Sequence, residues 1–519
     1  MCPENRRIPA YVWSISGLCL FLCSPLAAQL ALPATLQQIG YGELKARLGS
    51  AMPTGALFMA GQIEGNPIAY KPSQFNAQFN GKSFTMMSGS TGTGSHATTV
   101  GTNHYGATNG PAPGMPHVYV WQQNDWFQNY LHSSSNQFLQ PELPPDGLRT
   151  MNHSWVDDMY GAGNFSVLRR ADAVINRDRL VMVCAISNLD RPFEPLLAGS
   201  FNAIAVGRAD GQHNAGPTAA NTEVAGRSKP DLVAPGSKTS WAAPLVTGGA
   251  VLLFETVLVD PVLSLNANAD RPEVIKACLL GGTVHRPIWA NDAFESGPNR
   301  GVAFSGLDPK YGLDLLNLNR SHLILTGGQR PGGPVESPSA VPTAAWDLVT
   351  LESGESSFYR FATIDLAPEV SITATWNRIV EPDYVTWSIA NVDLHLWRIE
   401  NGELISLVGD AGLPYFGWGN VTSQSTLENV EHIYVRDLAP GHYVFEARRV
   451  GGGAPADVAV SWFLPLGPAP GDLNGDGVVD ASDLGSLLMM WGSDDVVADL
   501  DGSGEVDGDD LGVLLSLWY

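Results

Sequence analysis

Two hydrophobic patterns alternate in the first part of the chain. Short continuous apolar runs, typical of strands that are buried on both faces, occur at residues 56–63, 117–121, 180–186, 203–206 and 231–234. Apolar residues with helical spacing occupy 167–176 and 242–257. Buried strands that alternate with helices form parallel sheets. We therefore expect an α/β domain with a doubly wound, mostly parallel sheet over residues 29–325.

The pattern changes after residue 325. Residues 326–342 are rich in Gly, Pro and Ser, which predicts a linker. Residues 343–464 contain short alternating segments separated by turn residues, and this pattern predicts an antiparallel β-sandwich. A second Pro- and Gly-rich linker is expected at 465–471.

The last 48 residues contain an internal repeat. The segment DLNGDGVVDASDLGSLLMMW at 472–491 returns as DLDGSGEVDGDDLGVLLSLW at 499–518, a shift of 27 residues (499 − 472). Each copy joins an acidic loop to an apolar helix, so one structural unit is present twice. Residues 472–519 contain twelve Asp or Glu and no Lys or Arg, which indicates a cation site.

Both acidic loops follow the ligand spacing of an EF-hand, with oxygen donors at positions 1, 3, 5, 7, 9 and 12. Ca²⁺ is therefore the expected cofactor. The predicted ligands are Asp472, Asn474, Asp476, Val478 (through its carbonyl), Asp480 and Asp483 in the first loop, and Asp499, Asp501, Ser503, Glu505 (through its carbonyl), Asp507 and Asp510 in the second.

The pair of loops and helices resembles a type I dockerin module. That resemblance implies docking to a cohesin-like receptor or retention at a cell surface. The alternative is a small calcium-folded module, of the same 472–519 residues, that has no partner.

The N-terminus has the features of an export signal. Arg6 and Arg7 precede an apolar run at 12–22, and small residues follow up to Ala28. We expect residues 1–28 to be removed and the protein to be secreted or held on the cell surface; a retained membrane anchor is the alternative. No later segment is predicted to span a membrane. Cys184 and Cys278 would then be the remaining cysteines, either paired or buried as free thiols.

Net charge argues against one class of partner. The chain has 29 basic and 52 acidic residues, a formal net charge of −23. Such a surface repels phosphate groups, so nucleic-acid binding is not expected.

Four short segments contain side chains suited to acyl transfer, which needs a nucleophile, a base, an acid behind the base and oxyanion donors. Glu64 ends an apolar run in GQIEGNP, and His96 opens a helical segment of small residues in GSHATTVGT. Asn188 ends the run VCAISN, and Ser240 stands at a predicted helix start in GSKTSWAAPLVTGG. Each residue alone also has an ordinary structural interpretation, as a surface carboxylate, a structural histidine, a turn residue or a helix cap.

Together the four segments resemble those of the subtilisin-like serine proteases (subtilases, peptidase family S8). The family pattern His-Gly-Thr-His-Val-Ala-Gly-Thr corresponds to HATTVGT from His96, and Gly-Thr-Ser-Met-Ala-Ser-Pro corresponds to KTSWAAP around Ser240. The segment DLVAPG at 231–236 matches the family's piece before the nucleophile. The resemblance covers roughly residues 50–322.

The resemblance implies a serine endopeptidase that acts on polypeptides. Ser240 would attack the peptide carbonyl, His96 would take the proton, and Asn188 would hold the oxyanion. Ser154 would lie beside the substrate, which binds as an added strand. The following sandwich resembles the pre-peptidase C-terminal domains of secreted proteases. Its aromatic residues Tyr415, Phe416 and Trp418 would either pack internally or contact carbohydrate or matrix.

The chain departs from the family at several positions. Glu64 stands where the family has Asp, and Trp241 replaces the Met that follows the nucleophile. A glutamate is one methylene longer but still accepts a hydrogen bond from the imidazole. The short stretch between residue 28 and Glu64 leaves no room for the usual folding pro-domain. The alternative function is a catalytically inactive surface or adhesion protein that keeps the subtilase fold.

Overall fold

The computed structural model describes most of the chain after residue 31. The described residues are 32–133, 139–157, 162–190, 196–220, 222–363, 365–465, 471–474, 479–493, 495, 498–500, 503 and 505–518. The predicted signal segment 1–28 and the predicted calcium ligands Asp476, Val478 and Asp501 lie outside these residues.

A seven-stranded parallel sheet forms the centre of the first domain. Its strands are β1 (Met59–Glu64), β2 (Ser83–Met86), β3 (His117–Gln122), β4 (Leu148–His153), β5 (Val181–Ala185), β6 (Ile204–Arg208) and a last strand, Leu232–Ala234. Their order is β2-β3-β1-β4-β5-β6 followed by Leu232–Ala234, and all neighbouring pairs are parallel. The predicted parallel sheet is confirmed, and the direction of strand addition reverses at β1.

Side chains of alternate residues enter two hydrophobic cores, one on each face of the sheet. In β5, Val181 and Val183 belong to one core, whereas Met182 and Cys184 belong to the other. Cys278 lies in the first core, and both cysteines are free and buried. They therefore act as small apolar side chains rather than as a disulfide.

Helices cover the two faces of the sheet. They span Ala34–Gln38, Tyr41–Leu48, Ser95–Tyr105, Gln123–Asp125, Ala162–Asp178, Thr239–Val259, Pro272–Gly281 and Leu318–Thr326, with a π-helical turn at Trp126–Tyr130. Thr239–Val259 has the length and composition to cross a membrane, contrary to the expectation that no later segment would. However, 89% of its most apolar stretch is buried inside the protein, as in a core helix of a folded domain.

Two strands of the sheet were not predicted from apolar runs. β2 lies at an edge, and its side chains are alternately exposed and half-buried. β4 has the sequence LRTMNH yet is almost entirely buried, and two of its polar side chains have hydrogen-bond partners inside the protein. Arg149 is bonded to Asp270, and Asn152 to Ser154.

Two further sheets pack face to face as a sandwich, which confirms the predicted antiparallel sheets. The first contains, in order, Val302–Ala303, Thr422–Ser423, Asn391–Glu400, Gly441–Val450, Ser356–Thr363 and Ser339–Ala340, with Glu403–Ser406 paired to Asn391–Glu400. The second contains, in order, Ala344–Leu351, Ala456–Phe463, Ala367–Trp376, Val430–Leu438 and Trp418–Gly419. Their inward side chains form one apolar core.

The aromatic residues considered for ligand binding are packing residues in this structure. Phe416 is 3% exposed and lies in the sandwich core. The Tyr415 hydroxyl donates to Glu400, and the Trp418 ring packs against Trp289.

The sandwich packs directly on the parallel-sheet domain. Helix Pro272–Gly281 lies on two of its strands, where Ser461 Oγ donates to the Ala277 carbonyl (2.8 Å) and Thr375 Oγ1 to the Glu273 carbonyl (2.9 Å). The segment 326–342 runs along the surface of the sandwich, where its Ser339–Ala340 pairs with the strand Ser356–Thr363. This Gly- and Pro-rich segment thus forms hydrogen-bonded turns on the surface of the sandwich. Val302–Ala303 also joins a sandwich sheet, although it comes before this segment.

The two C-terminal repeats each contain a short helix, Ala481–Met489 and Gly508–Ser516. Asp480 and Asp507 cap these helices in equivalent capping boxes. Five buried apolar residues join the repeats in a small core of their own: Val479, Leu487, Ala498, Val506 and Leu514.

Candidate active site

The candidate site lies at the carboxyl edge of the parallel sheet, beside the strand at which the strand order reverses. Glu64 is the last residue of β1 and is 1% exposed. Its neighbours on the two sides are β3 and β4. In open parallel sheets this edge, at this reversal, is where ligands bind.

His96 is the second residue of helix Ser95–Tyr105. Its Nδ1 lies 2.7 Å from Glu64 Oε2, and its side chain is 38% exposed, compared with 2% for Glu64. Gly94, which precedes this helix, lies so close to the Ala69 backbone that a Cβ on it would stand 2.1 Å from the Ala69 carbonyl oxygen. This close contact between the two backbones positions the start of the helix. The acid and the base predicted from the sequence are therefore in hydrogen-bond contact, with the imidazole partly exposed to solvent.

Ser240 is the second residue of helix Thr239–Val259 and is 7% exposed. Its Oγ donates to the Ser154 carbonyl (3.2 Å), and Ser154 Oγ donates in return to the Ser240 carbonyl (3.2 Å). Within the described part of the chain, Ser240 Oγ has no hydrogen bond to His96. The predicted nucleophile is thus held beside the predicted substrate strand rather than on the base.

Asn188 follows β5 and is fixed at the same helix start. Its Oδ1 accepts the backbone N–H of Thr239 (2.8 Å), while Thr239 Oγ1 donates to the Ile186 carbonyl (2.6 Å). Since the amide oxygen has this partner, the Asn188 nitrogen is the atom left to donate. The backbone N–H of Ser240, in the first turn, has no acceptor within the helix. Both donors therefore belong to one hydrogen-bonded junction of strand and helix.

Two polar residues that the sequence analysis missed hold the Ser154 side chain in place through hydrogen bonds. Asn152 Nδ2 donates to Ser154 Oγ (2.8 Å), and Thr247 Oγ1 donates to Asn152 Oδ1 (3.0 Å). All three side chains are buried. For Thr247 the available signal was a polar residue within an otherwise apolar segment, since a buried polar group requires a partner, whereas Asn152 lies in a polar segment that gave no such signal.

Two more missed residues form a hydrogen-bonded chain that ends on the acid. Tyr105 donates its hydroxyl to Gln62 Oε1 (2.6 Å), and Gln62 Nε2 donates to Glu64 Oε1 (2.7 Å) and to the Ala97 carbonyl (2.8 Å). Burial first, and then the charge of Glu64, raise the pKa of the Tyr105 phenol well above its ordinary value. Tyr105 therefore stays protonated and remains a donor.

Trp241 packs beside the base. Its ring centroid is 5.0 Å from that of His96, with the ring planes inclined by 39°. The Lys238 ammonium lies 5.5 Å from the Trp241 ring centroid, and Asn103 Nδ2 donates to the Trp241 carbonyl (3.3 Å). The residue that replaces the family's methionine thus limits the room beside the imidazole.

The predicted calcium loops are only partly described. Asp483 accepts the backbone N–H groups of Leu473 (2.8 Å) and Asp480 (2.9 Å), and Asp510 accepts those of Leu500 (2.6 Å) and Asp507 (2.7 Å). Among the described residues, no group of three or more His, Cys, Asp or Glu side chains is arranged to hold a metal. The calcium ligands therefore remain a prediction.

No protein-family model and no curated protein sequence matches the chain. Alignments with solved structures include the prenylagaramide maturation protease PagA, at 18% identity and a TM-score of 0.35, covering 51% of this chain and 93% of that one. The patellamide maturation protease PatA aligns at 18% identity and a TM-score of 0.35, covering 52% and 98%. The self-cleaved protease domain of PatA aligns at 16% identity with the same score, covering 53% and 98%. At these scores, no inference about this chain rests on the alignments.

Proposed function

We propose that this protein is a serine endopeptidase in which Ser240 is the nucleophile, His96 the general base and Glu64 the acid behind the base. The observation that carries the proposal is the 2.7 Å contact between Glu64 Oε2 and His96 Nδ1 at the carboxyl edge of the sheet. Ser240 and Asn188 meet at the adjoining helix start, as acyl transfer requires.

In the proposed reaction, the Ser240 hydroxyl turns from the Ser154 carbonyl towards His96 Nε2. His96 accepts the proton as Ser240 Oγ attacks the peptide carbonyl, and Glu64 stabilises the imidazolium. The negative oxygen of the tetrahedral intermediate accepts hydrogen bonds from the Ser240 N–H and from Asn188 Nδ2. His96 then protonates the leaving amine. Water, activated by the same imidazole, releases the acyl group from Ser240.

The substrate is proposed to be a polypeptide that lies beside Ser154 as an added strand. Its carbonyl and N–H groups would pair with the backbone after β4, as in other strand-addition sites. Trp241, which packs near His96, would restrict the leaving-group side to small or flat side chains.

The C-terminal module is proposed to bind Ca²⁺ through the two predicted loops. Asp472, Asp483 and Asp510 are buried in a module that has no Lys or Arg, and buried carboxylates require a compensating positive charge. The ion would fold the loops, and the module would attach the secreted enzyme to a cohesin-like or cell-surface receptor.

The decisive experiment is labelling with a fluorophosphonate, which reacts with activated serines. The protein without residues 1–28 is labelled in calcium-containing buffer, beside Ser240→Ala. The control is Ser237→Ala, because Ser237 is exposed three residues away. We expect labelling of the wild type and of the control, and none of Ser240→Ala. If the folded wild type is not labelled, the inactive surface protein becomes the better account; the 3.2 Å bond from Ser240 to Ser154 favours that candidate.

A further inference from the structure

The acid of the proposed site has two oxygens with two different partners. Glu64 Oε2 faces His96 Nδ1, and Oε1 accepts from Gln62. In the described part of the chain, His96 is the only basic side chain in an ion pair with Glu64. A carboxylate that is 1% exposed thus relies on one neutral amide and on one imidazole.

The orientation of the Gln62 amide follows from its neighbours. The Ala97 carbonyl and the Glu64 carboxylate can only accept, so both must face the amide nitrogen. The amide oxygen then faces Tyr105, whose hydroxyl donates to it. Gln62 and Tyr105 are both inaccessible to solvent. No water competes for these bonds, and the amide has one arrangement that satisfies all of its partners.

The chain places these groups together through two elements. Gln62 and Glu64 are two residues apart in β1, so their side chains extend from the same face of the strand. Helix Ser95–Tyr105 contributes His96, the Ala97 carbonyl and Tyr105. One strand and one helix therefore supply the acid, the base and every group that orients the acid.

We infer that Gln62 and Tyr105 are positioning residues, which hold the Glu64 carboxylate against His96 and so allow a glutamate to serve as the acid. The inference rests on the proposed function. Gln62 restrains the additional methylene of the glutamate by binding the carboxylate oxygen that His96 does not use. Tyr105 restrains Gln62 in turn, through the amide oxygen.

The inference predicts a shift in proton affinity as well as a loss of rate. Gln62→Leu removes the donor from Glu64 Oε1, and losing a bond to the charged form raises the pKa of a carboxyl group. The proton taken up by the pair can then also reside on Glu64. The low-pH limb of the pH–rate profile, the acid limb, therefore moves to higher pH, because the apparent pKa seen in that profile belongs to the coupled pair of Glu64 and His96.

The test is the second-order rate of fluorophosphonate labelling of Ser240 measured from pH 5 to 9, a range that spans the ordinary histidine pKa. Gln62→Leu should lower the rate at neutral pH by about 10- to 100-fold, the effect of losing a hydrogen bond to a charged group, and should move the acid limb to higher pH. Tyr105→Phe should also move the acid limb to higher pH, with a smaller loss of labelling rate. Gln62→Leu combined with Glu64→Asp should recover part of the rate lost in Gln62→Leu, because the shorter acid has one fewer rotatable bond to restrain.

The matched control is Gln122→Leu. Gln122 lies at the end of the neighbouring strand β3, where it caps a helical turn through the Asn124 and Asp125 N–H groups. This variant should lose stability but keep the wild-type pH profile. If Gln62→Leu and Tyr105→Phe also keep that profile and rate, the inference is wrong. Tyr105→Phe, which removes one oxygen atom, decides the matter if Gln62→Leu does not fold.

A second measurement separates this inference from the proposed function. The titration of His96 is followed by NMR in protein with isotope-labelled histidine, with and without Gln62→Leu. A wild type that does not react with fluorophosphonate overturns the proposed function. An unchanged His96 titration in Gln62→Leu overturns the positioning role, whatever the reactivity of the wild type.

Discussion

Two fully buried carboxylates in this molecule have opposite environments. Asp172, at the contact between the parallel-sheet domain and the sandwich, accepts from the Ser200 hydroxyl and from the Asn202 N–H (2.9 Å), and it pairs with Arg378 (2.6 Å). Glu64, in the candidate active site, has Gln62 and His96. Asp172 faces a guanidinium, which is always charged, whereas Glu64 faces an imidazole, which is uncharged in its neutral form. Saturated bonding indicates a structural role, and incomplete neutralisation a chemical one.

The largest expected effect separates these two carboxylates directly. Glu64→Gln keeps the shape but presents an amide to His96, and the corresponding change in a Ser-His-Asp protease lowers turnover by about 10⁴. We expect a loss of similar size in the fluorophosphonate labelling rate. Asp172→Asn should leave the rate of the folded protein unchanged. Equal losses in the two variants would remove the distinction between a chemical and a structural carboxylate.

A substitution at the contact between the parallel-sheet domain and the sandwich should lower stability rather than the labelling rate. Arg378 pairs with Asp172 and Glu223, and its side chain is completely buried. Arg378→Leu leaves the buried Asp172 without its cation, while Glu223 keeps Arg169, and breaking such a buried pair costs about 3–5 kcal/mol. The free energy of unfolding, measured with urea, should fall by this amount, whereas the exposed Arg330→Ala should have little effect. A loss below about 1 kcal/mol would show that the contact is not a structural junction.

The oxyanion donors provide an intermediate effect. Asn188→Asp keeps the oxygen that accepts from Thr239 but removes the donor, and loss of one such donor lowers turnover by about 10²–10³. We expect that loss in the labelling rate, with the melting temperature nearly unchanged. A loss of stability without a change in rate would assign Asn188 to the helix start alone.

The smallest effect concerns a buried imidazole that lacks a carboxylate. Burial lowers the pKa of His153 from its ordinary 6.5 to about 3, and neither ring nitrogen has a hydrogen-bond partner among the described residues. The unfolded chain therefore binds one more proton than the folded one between these values. Stability is present above pH 6.5 and is lost as the pH falls towards 3, by up to about 1.4 kcal/mol per pH unit.

His153→Phe should remove this contribution without losing a hydrogen bond. Urea unfolding at pH 6 and pH 4 should then show a smaller acid loss than in the wild type. An identical loss would mean that His153 does not titrate on unfolding in this range, and would leave the acid sensitivity to other buried groups such as His104 and His432, whose pKa values burial also lowers to about 3.

The sequence predicted what depends on local pattern. Apolar runs located β1, β3, β5 and β6, and the resemblance of four short segments to the subtilases indicated the residues of the candidate site. It did not reveal Gln62 and Tyr105, because they are 43 residues apart and matter only once β1 and the helix are side by side. The pairing of Arg378 with Asp172 spans 206 residues and has no local signal at all. β4 was not among the predicted apolar runs because LRTMNH is rich in polar residues, and the partners of some of them, such as Asp270 for Arg149, are distant in the sequence.

The strand Val302–Ala303 has a practical consequence for anyone who would exchange parts of this protein. By chain position it belongs with the parallel sheet, but by hydrogen bonding it extends a sheet of the sandwich. If the chain were divided between residues 325 and 343, the strand Val302–Ala303 would stay with the parallel-sheet piece. The sandwich piece would then have an open sheet edge, which is prone to self-association. Residues 32–465 should be transplanted as a single cassette, whereas the two short repeats, with a core of their own, are the portable part.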